Sequence, residues 1–369
     1  MNILVLNWQD IRNPLGGGAE VHLHEIFKRV AGQGHSVTLF CSSFPGAKPE
    51  EWIDGIRVVR EGGRNYFNLI VPYRYRSQFR KEGFDVVVDD INKIPFYTPR
   101  FVRGPMIGIV HHWFGKSIFR EASIPAALYV HLSEKLAFQV YRRTPMAVVS
   151  ESTKQEMVRR GFDATNISIV QNAIDSKLYR QLRIKKGRVP LVGYLGRLKR
   201  YKSIDHLIRA FKLVRESMPK ARLWILGDGD ARPELEALSK QLGMENAVRF
   251  AGMVSDEDKV RMLNQMHLVV NTSVKEGWGL TVVEANACGV PVIASNVPGL
   301  RDSVLNGKTG WLFEYGNIPE LSQKILALLG DRKLQAKMSK EAARWARSFS
   351  WDRSAQQMLQ AIDRAIASH

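Results

Sequence analysis

Two doubly wound α/β domains, each a parallel sheet covered by helices, are predicted on three observations. Short apolar runs of strand length recur at spacings that leave room for crossover helices. The order strand, loop, helix, strand that opens the chain restarts near Leu191, and 369 residues are too many for one small module but suit two. Ile3 to Leu6 is the first strand, Gly16-Gly17-Gly18 the loop after it, the apolar-periodic stretch to Val30 the first helix, and Val37 to Phe40 the next strand. Val86-Val87-Val88, Met106 to Val110 and Ala147-Val148-Val149 extend that sheet. Arg183-Ile184-Lys185-Lys186-Gly187-Arg188 is basic and lacks apolar periodicity, as a linker does, so the domains are placed at 1–183 and 184–349. In the second, Leu191 to Leu195 is a strand, and Ile204, Leu207, Ile208, Phe211 and Val214 share one helical face. Strands follow at Leu223 to Leu226, Val248 to Ala251, Leu268 to Val270 and Pro291 to Ala294. Ser350-Trp351-Asp352 reads as an N-cap before a last helix, 350–369, expected to pack back on the N-terminal domain.

With 45% hydrophobic and 24% charged residues, the chain can bury ordinary cores, which excludes wholesale disorder. The net charge of +18, of which +10 lies in residues 1–186, is large enough to attract nucleic acid, an anionic membrane or a phosphorylated small molecule. Cys41 and Cys288 sit in apolar stretches and read as buried thiols in a reducing, cytoplasmic compartment. The N-terminus reads as a strand and not as a signal peptide, and every apolar run is broken short of the roughly 20 residues of a spanning helix. Any membrane contact would be peripheral, on the inner face.

The segment Glu276-Gly277-Trp278-Gly279-Leu280-Thr281-Val282-Val283-Glu284 places two carboxylates around a glycine-rich turn that opens a helix after the strand Leu268 to Val270. Amides at a helix N-terminus suit phosphate, and carboxylates beside them suit sugar hydroxyls. Arg197 and Lys202 follow the first strand of the second domain, where cations would stabilise a departing phosphate. Pro14 to Glu20 is a second glycine-rich loop ahead of a helix. His111-His112 follows a strand end; no third ligand has recognisable metal spacing. Asp89-Asp90 reads as a hydrogen-bonded strand-end pair and not as a metal site.

The segment from Glu276 resembles the Glu-x7-Glu motif of retaining family 4 glycosyltransferases. The likeness continues through Gly289 to Ala294, Gly307 to Phe313, Gly196-Arg197-Leu198 with Lys202, Gly227-Asp228-Gly229 and Phe250 to Val254. It implies the GT-B fold, two Rossmann-like domains facing across a cleft, and metal-independent transfer of a sugar from a nucleoside diphosphate (UDP or GDP) to a hydroxyl, without a cofactor. It implies Glu276 on the donor sugar, Glu284 on the ribose, Arg197 and Lys202 on the diphosphate, and His111, favoured over His112, lining the sugar. Gly17 and Gly18, with Gly196, Gly227, Val254, Gly277, Gly279, Leu280 and Thr281, would complete the donor site. The expected acceptor is a saccharide or lipid-linked hydroxyl in cell-surface glycan assembly. Two departures, Ala173 within Gln171 to Asp175 and the loop Val297 to Asp302, lie where the family carries Asn-Gly and a more glycine-rich loop.

Two rival classes share single features with this reading. A nicotinamide-dependent oxidoreductase would use two such domains, but Gly16 to Val21 lacks the Gly-x-Gly-x-x-Gly order. Nucleic-acid binding rests on charge alone, without a helix-turn-helix, zinc or RNA-binding signature, and is not expected. The positive charge is densest at Arg57, Arg60, Arg64, Arg74, Arg76, Arg80 and Lys81, interleaved with Tyr66, Phe67, Tyr73, Tyr75 and Phe79. Two readings of this segment stand side by side: an interfacial helix on an anionic leaflet, joined by Trp113, Phe114, Lys116, Phe119 and Arg120, or an ordinary amphipathic helix packed on its own sheet.

Overall fold

A computed structural model describes residues 1–92, 94–120 and 122–369, the side chains of Lys116 and Arg120 excepted. It divides into two compact units, Met1–Ala173 with Trp351–His369, and Ile174–Ser350. The first unit runs β1 (Asn2–Leu6), α1 (Gly18–Gly32), β2 (Ser36–Cys41), β3 (Glu50–Ile53), β4 (Ile56–Arg60), α2 (Phe67–Ser77), β5 (Val86–Asp90), β6 (Met106–Val110), α3 (Ile124–Val140), β7 (Met146–Val148), α4 (Glu151–Arg159) and β8 (Ile167–Ile169). The second runs β9 (Leu191–Leu195), α5 (Ile204–Ser217), β10 (Arg222–Leu226), α6 (Arg232–Gln241), β11 (Val248–Gly252), α7 (Asp256–Gln265), β12 (Leu268–Asn271), α8 (Leu280–Ala287), β13 (Val292–Ser295), α9 (Leu300–Ser303), β14 (Gly310–Phe313), α10 (Ile318–Gly330) and α11 (Arg332–Ala346). The helix α12 (Trp351–Ala367) belongs to the first unit.

Among the described residues the first sheet has the order β3-β4-β2-β1-β5-β6-β7-β8 and the second β11-β10-β9-β12-β13-β14, parallel throughout except β3 with β4. Parallel strands must be buried on both faces, which is why Ile3 to Leu6 of β1, Val86 to Val88 of β5 and Leu268 to Val270 of β12 are unbroken runs of Leu, Ile and Val. On one face of the first sheet Leu4, Phe40 and Val87 pack with Phe67 and Phe79; another core cluster joins Val110, Tyr141, Met146 and Met157. In the second unit Leu207, Ile208, Phe211 and Val214 of α5 pack on Val192, Ile225 and Leu268. Trp351, Met358 and Ile362 of α12 are buried, and the helix packs against α1, β6, β7 and β8.

Two expectations are corrected. The segment 57–81 is not one interfacial helix. Ile56 to Arg60 is a strand, paired with β3 through a two-residue turn at Asp54-Gly55, both at positive φ (48° and 82°). Arg60 is fully buried against Asp10, Arg57 pairs with Glu50 and Glu82, and Arg74 with Glu61. Phe67, Tyr75 and Phe79 face the core, and Trp113 is buried against Phe138, so these residues do not meet a leaflet; the side chains of Lys116 and Arg120 lie outside the described residues. Second, the division falls at Ala173 and not at Arg183, because Tyr179 already packs in the second unit, with Lys259 Nζ 4.9 Å from its ring centre. Asp89 and Asp90 are hydrogen-bonded at the strand end as expected, and as successive strand residues they point to opposite faces. Asp89 accepts from Thr98 Oγ1 at 2.6 Å and Tyr141 Oη at 2.5 Å, whereas Asp90 meets His111. Burial pushes the Asp89 carboxyl up to about 7.

Candidate active site

In an open parallel sheet a ligand sits beyond the carboxyl ends of the strands where strand order reverses, because the loops there part to opposite faces. In the second unit that point lies between β9 and β12. The loop after β9, Gly196 to Lys199, tightens into a 3-10 turn over Arg200–Lys202. Thr272 Oγ1, just past β12, donates to the Lys202 carbonyl at 2.9 Å, and the Val274 amide donates to the Tyr201 carbonyl at 2.9 Å. Tying the loops in this way brings Lys202 Nζ to 2.5 Å from Glu276 Oε1, which also accepts from Ser273 Oγ at 2.7 Å. Both side chains are only 14% exposed. Burial opposes the charged lysine, but Glu276, with Tyr201 and Tyr194, outweighs it and holds the ammonium above the ordinary lysine range. The site therefore keeps a fixed cation beside a carboxylate, with the exposed Arg197 on the same loop.

Buried Gly277 and Gly279 flank Trp278 between Glu276 and α8. The first amides of α8, at Leu280 and Thr281, have no carbonyl one turn back, and the helix dipole places its positive end there. The departing loop Val297 to Asp302 wedges beneath this segment. A Cβ on Gly299, whose φ is +80°, would lie 2.3 Å from the Glu276 carbonyl oxygen, so only glycine fits. Glu284 lies in the second turn of α8, half-buried beside Tyr179 and 3.7 Å from Lys259 Nζ. Burial raises its pKa, a rise that Lys259 and Tyr179 only partly offset.

The loops after β9, β10 and β11 lie backbone to backbone. The Gly196 amide donates to the Leu226 carbonyl at 3.0 Å, and the Gly227 amide to the Gly252 carbonyl at 2.9 Å, just ahead of Met253 and Val254. A Cβ on Gly227, at φ +124°, would fall 2.0 Å from the Gly196 oxygen. Gly227→Ala should therefore cost at least about 3 kcal/mol of stability, visible as a lower urea midpoint.

The first unit reverses strand order between β1 and β5. Its glycine loop is braced from both ends. The Glu20 carboxylate, 4% exposed, accepts from the Gly17 amide at 2.7 Å and from Asn92 Nδ2 at 3.3 Å, and α1 starts at Gly18. Glu20 is thus a capping group in this structure. At the loop's start, Asp10 accepts from Arg60 Nε at 2.6 Å, and Arg60 Nη1 reaches Glu51 at 2.6 Å, with Asp10 and Arg60 fully buried. His111, past β6, meets Asp90 at 3.2 Å and stacks edge-on against His22, ring centres 5.0 Å apart. Burial disfavours the imidazolium, but Asp90 and Glu20 outweigh it and raise the His111 pKa. Buried His22, with His111 beside it, is held well below the ordinary histidine value. Asp90→Asn should move the His111 imidazole titration to lower pH in an NMR pH series. The stability that His111 adds is full below its ordinary pKa and is lost as pH rises through the raised one, so the variant should lack that decline.

Lys202, Arg197, Glu276 and the opening of α8 are brought together in the second unit, with Gly196, Gly227 and Val254 in neighbouring loops. His111, Gly17 and Gly18 belong to the first unit. Sequence reasoning missed Asp90 as the partner of His111, Ser273 as the partner of Glu276, and the Arg60–Asp10 brace. Strand alternation at Asp89-Asp90 was the one available signal.

The family model described as Glycosyl transferases group 1 matches residues 175–345, and that described as Glycosyltransferase Family 4 matches residues 16–178. The chain is 31% identical over 239 residues to the D-inositol 3-phosphate glycosyltransferase of Rhodococcus jostii (strain RHA1), covering 61% of this chain and 53% of that protein. The chain thus spans about half the length of that relative. It is 26% identical to the N-acetyl-alpha-D-glucosaminyl L-malate synthase of Bacillus anthracis over 89% of both chains. Among solved structures, the sucrose-phosphate synthase of Thermosynechococcus elongatus superposes with a TM-score of 0.84 at 20% identity over the whole of both chains. Anabaena HepE, solved with UDP and glucose, superposes with a TM-score of 0.78 at 21% identity, over 99% of this chain and 100% of that one. Two adjoining family matches that run from residue 16 to 345, on two parallel sheets of GT-B type, mean that the chain belongs to glycosyltransferase family 4.

Proposed function

We propose that the protein is a retaining, metal-independent glycosyltransferase that moves a sugar from UDP or GDP to a hydroxyl of a saccharide or lipid-linked acceptor at an anionic membrane surface. The observation that carries this reading is the Lys202–Glu276 pair at the strand-order reversal, beside the first amides of α8, which no side chain at the N-cap satisfies among the described residues. Lys202 and Arg197 would take the diphosphate and gain strength as negative charge builds on the leaving oxygen. Glu276 would bond the sugar hydroxyls and support positive charge at the anomeric carbon. Glu284 would hold the ribose, and His111 would bond a sugar hydroxyl. The acceptor proton would pass to the leaving phosphate oxygen, so front-face transfer needs no enzymic nucleophile. Two cations where the diphosphate sits do the work that a divalent ion does elsewhere, and Asp89 and Asp90 already have partners. HepE, of the same fold, was solved with UDP and glucose, which favours a uridine donor.

The test is a hydrolysis panel of UDP- and GDP-sugars, with and without EDTA. One donor should turn over with unchanged rate in the chelator, and Glu276→Ala should lose at least about 100-fold in kcat. Turnover intact in Glu276→Ala would overturn the assignment.

A further inference from the structure

The helix α3 has its amphipathicity inverted. It turns Ala127, Ser133, Glu134 and Ala137 inward and exposes Ile124, Leu128, Leu132 and Leu136, one row at every fourth position. Ile124 is 76% exposed and Leu132 53%. The orientation is fixed by Glu134, whose carboxylate accepts from the Phe114 and Gly115 amides at 2.6 and 2.8 Å. Rotating the helix to hide the leucines would orphan those bonds. Tyr129, also exposed, accepts from Asn68 Nδ2 at 3.5 Å, which joins α3 to α2. On α2 the exposed residues Tyr66, Leu69 and Tyr73 recur at helical spacing, and Arg76 continues the row. The charge around this face is mainly positive, and the carboxylates at its margins, Glu61 and Glu82, are paired with Arg74 and Arg57. From Gly62 to Lys81 there are five basic residues and no acidic one, and the exposed Arg142 and Arg143 follow α3.

We propose that the α2–α3 face is the membrane-docking surface of this protein. The row from Ile124 to Leu136 enters the headgroup and acyl boundary of an anionic phospholipid leaflet, and Arg76, Arg80 and Lys81 lie on lipid phosphates. Apolar patches of this extent mark interaction surfaces, and a helix with one apolar face between cationic flanks lies in the interfacial plane. Among the described residues no helix is long and apolar enough to cross a membrane. A second copy as occupant would set like charges against each other, whereas an anionic leaflet complements them. The inference rests on the membrane part of the proposed function alone, not on its sugar chemistry.

The test is flotation of the full chain with vesicles of phosphatidylcholine and with vesicles that also contain phosphatidylglycerol. The chain should float with the anionic vesicles, gaining about fivefold in partition per engaged cation. Leu128→Glu with Leu132→Glu should lower that partition at least about tenfold, with the melting temperature and donor hydrolysis in the absence of vesicles unchanged. Should that variant not fold, Leu69→Ser with Tyr73→Ser gives the same readout from α2. Wild-type chain left in the supernatant with both vesicle types overturns the proposal, as does partition undiminished in the variants. A dimer in sedimentation velocity that Leu128→Glu with Leu132→Glu dissolves overturns it in favour of self-association. Wild-type chain that hydrolyses donor without binding vesicles removes the docking surface only; wild-type chain that binds vesicles without hydrolysing donor removes the catalytic reading only.

Discussion

Replacing Lys202 with alanine should lower kcat/KM for donor turnover by about 10²–10³-fold, most of it in kcat. The reason is the timing of charge. A nucleoside diphosphate carries negative charge before reaction, but the bridging oxygen gains more as the glycosidic bond breaks. A cation held at a fixed point by Glu276 and by the Thr272 bond to its own carbonyl needs no reorganisation to meet it. Arg197, on the same loop and exposed, is free to follow the ground-state phosphate, so Arg197→Ala should act more on KM. Because Lys202 and Glu276 touch, their effects are coupled. The double alanine variant should lose less than the product of the single losses, measured as a cycle in steady-state kinetics.

Arg60→Met should destabilise the first unit by about 3–5 kcal/mol, because it leaves the Asp10 carboxylate buried without its cation. Hydrogen exchange of the β1, β2 and β4 amides should report this locally, ahead of the second unit. The pH dependence fixes the sign. In the wild type, burial raises the Asp10 pKa, but Arg60, the Arg12 amide and Cys41 outweigh it and hold the carboxyl below its ordinary value of 3.8. Its contribution is therefore present above about pH 4 and is lost as pH falls through the lowered folded value. Without Arg60 the buried carboxyl titrates high and the slope inverts, so the variant should weaken as pH rises. Asp10→Leu added to Arg60→Met should recover much of the loss, since an apolar pair of similar volume leaves no charge unmatched.

The central strands of both sheets were legible because a parallel sheet buried on both faces writes itself as Val, Ile and Leu runs, as in Val86 to Val88 of β5 and Leu268 to Val270 of β12. The short edge strands β8 and β14 went unread. The β3–β4 hairpin escaped because Glu50 to Arg60 mixes charges with apolar residues on an edge, although its Asp-Gly turn was a readable signal. In the site, Glu276 and Lys202 were identified by motif, but their contact joins residues 74 positions apart and depends on strand order, which spacing does not encode. Glu20 had a role that its spacing did not announce. It was read only as the end of a glycine-rich loop, and it caps the following helix by accepting from the Gly17 amide. The basic segment 57–81 misled for a similar reason. Composition counts cations without knowing that Arg60 is spent inside the protein on Asp10 and Glu51.

The membership of α12 in the first unit sets an order of assembly during synthesis. A ribosome releases residues 1–173 first, but this half lacks the side chains of Trp351, Met358 and Ile362 that fill the ground between α1 and β6 to β8. Residues 174–350 are contiguous and can close their own core as soon as α11 emerges. The half made first is thus completed last, and until then it holds an apolar groove open to chaperones.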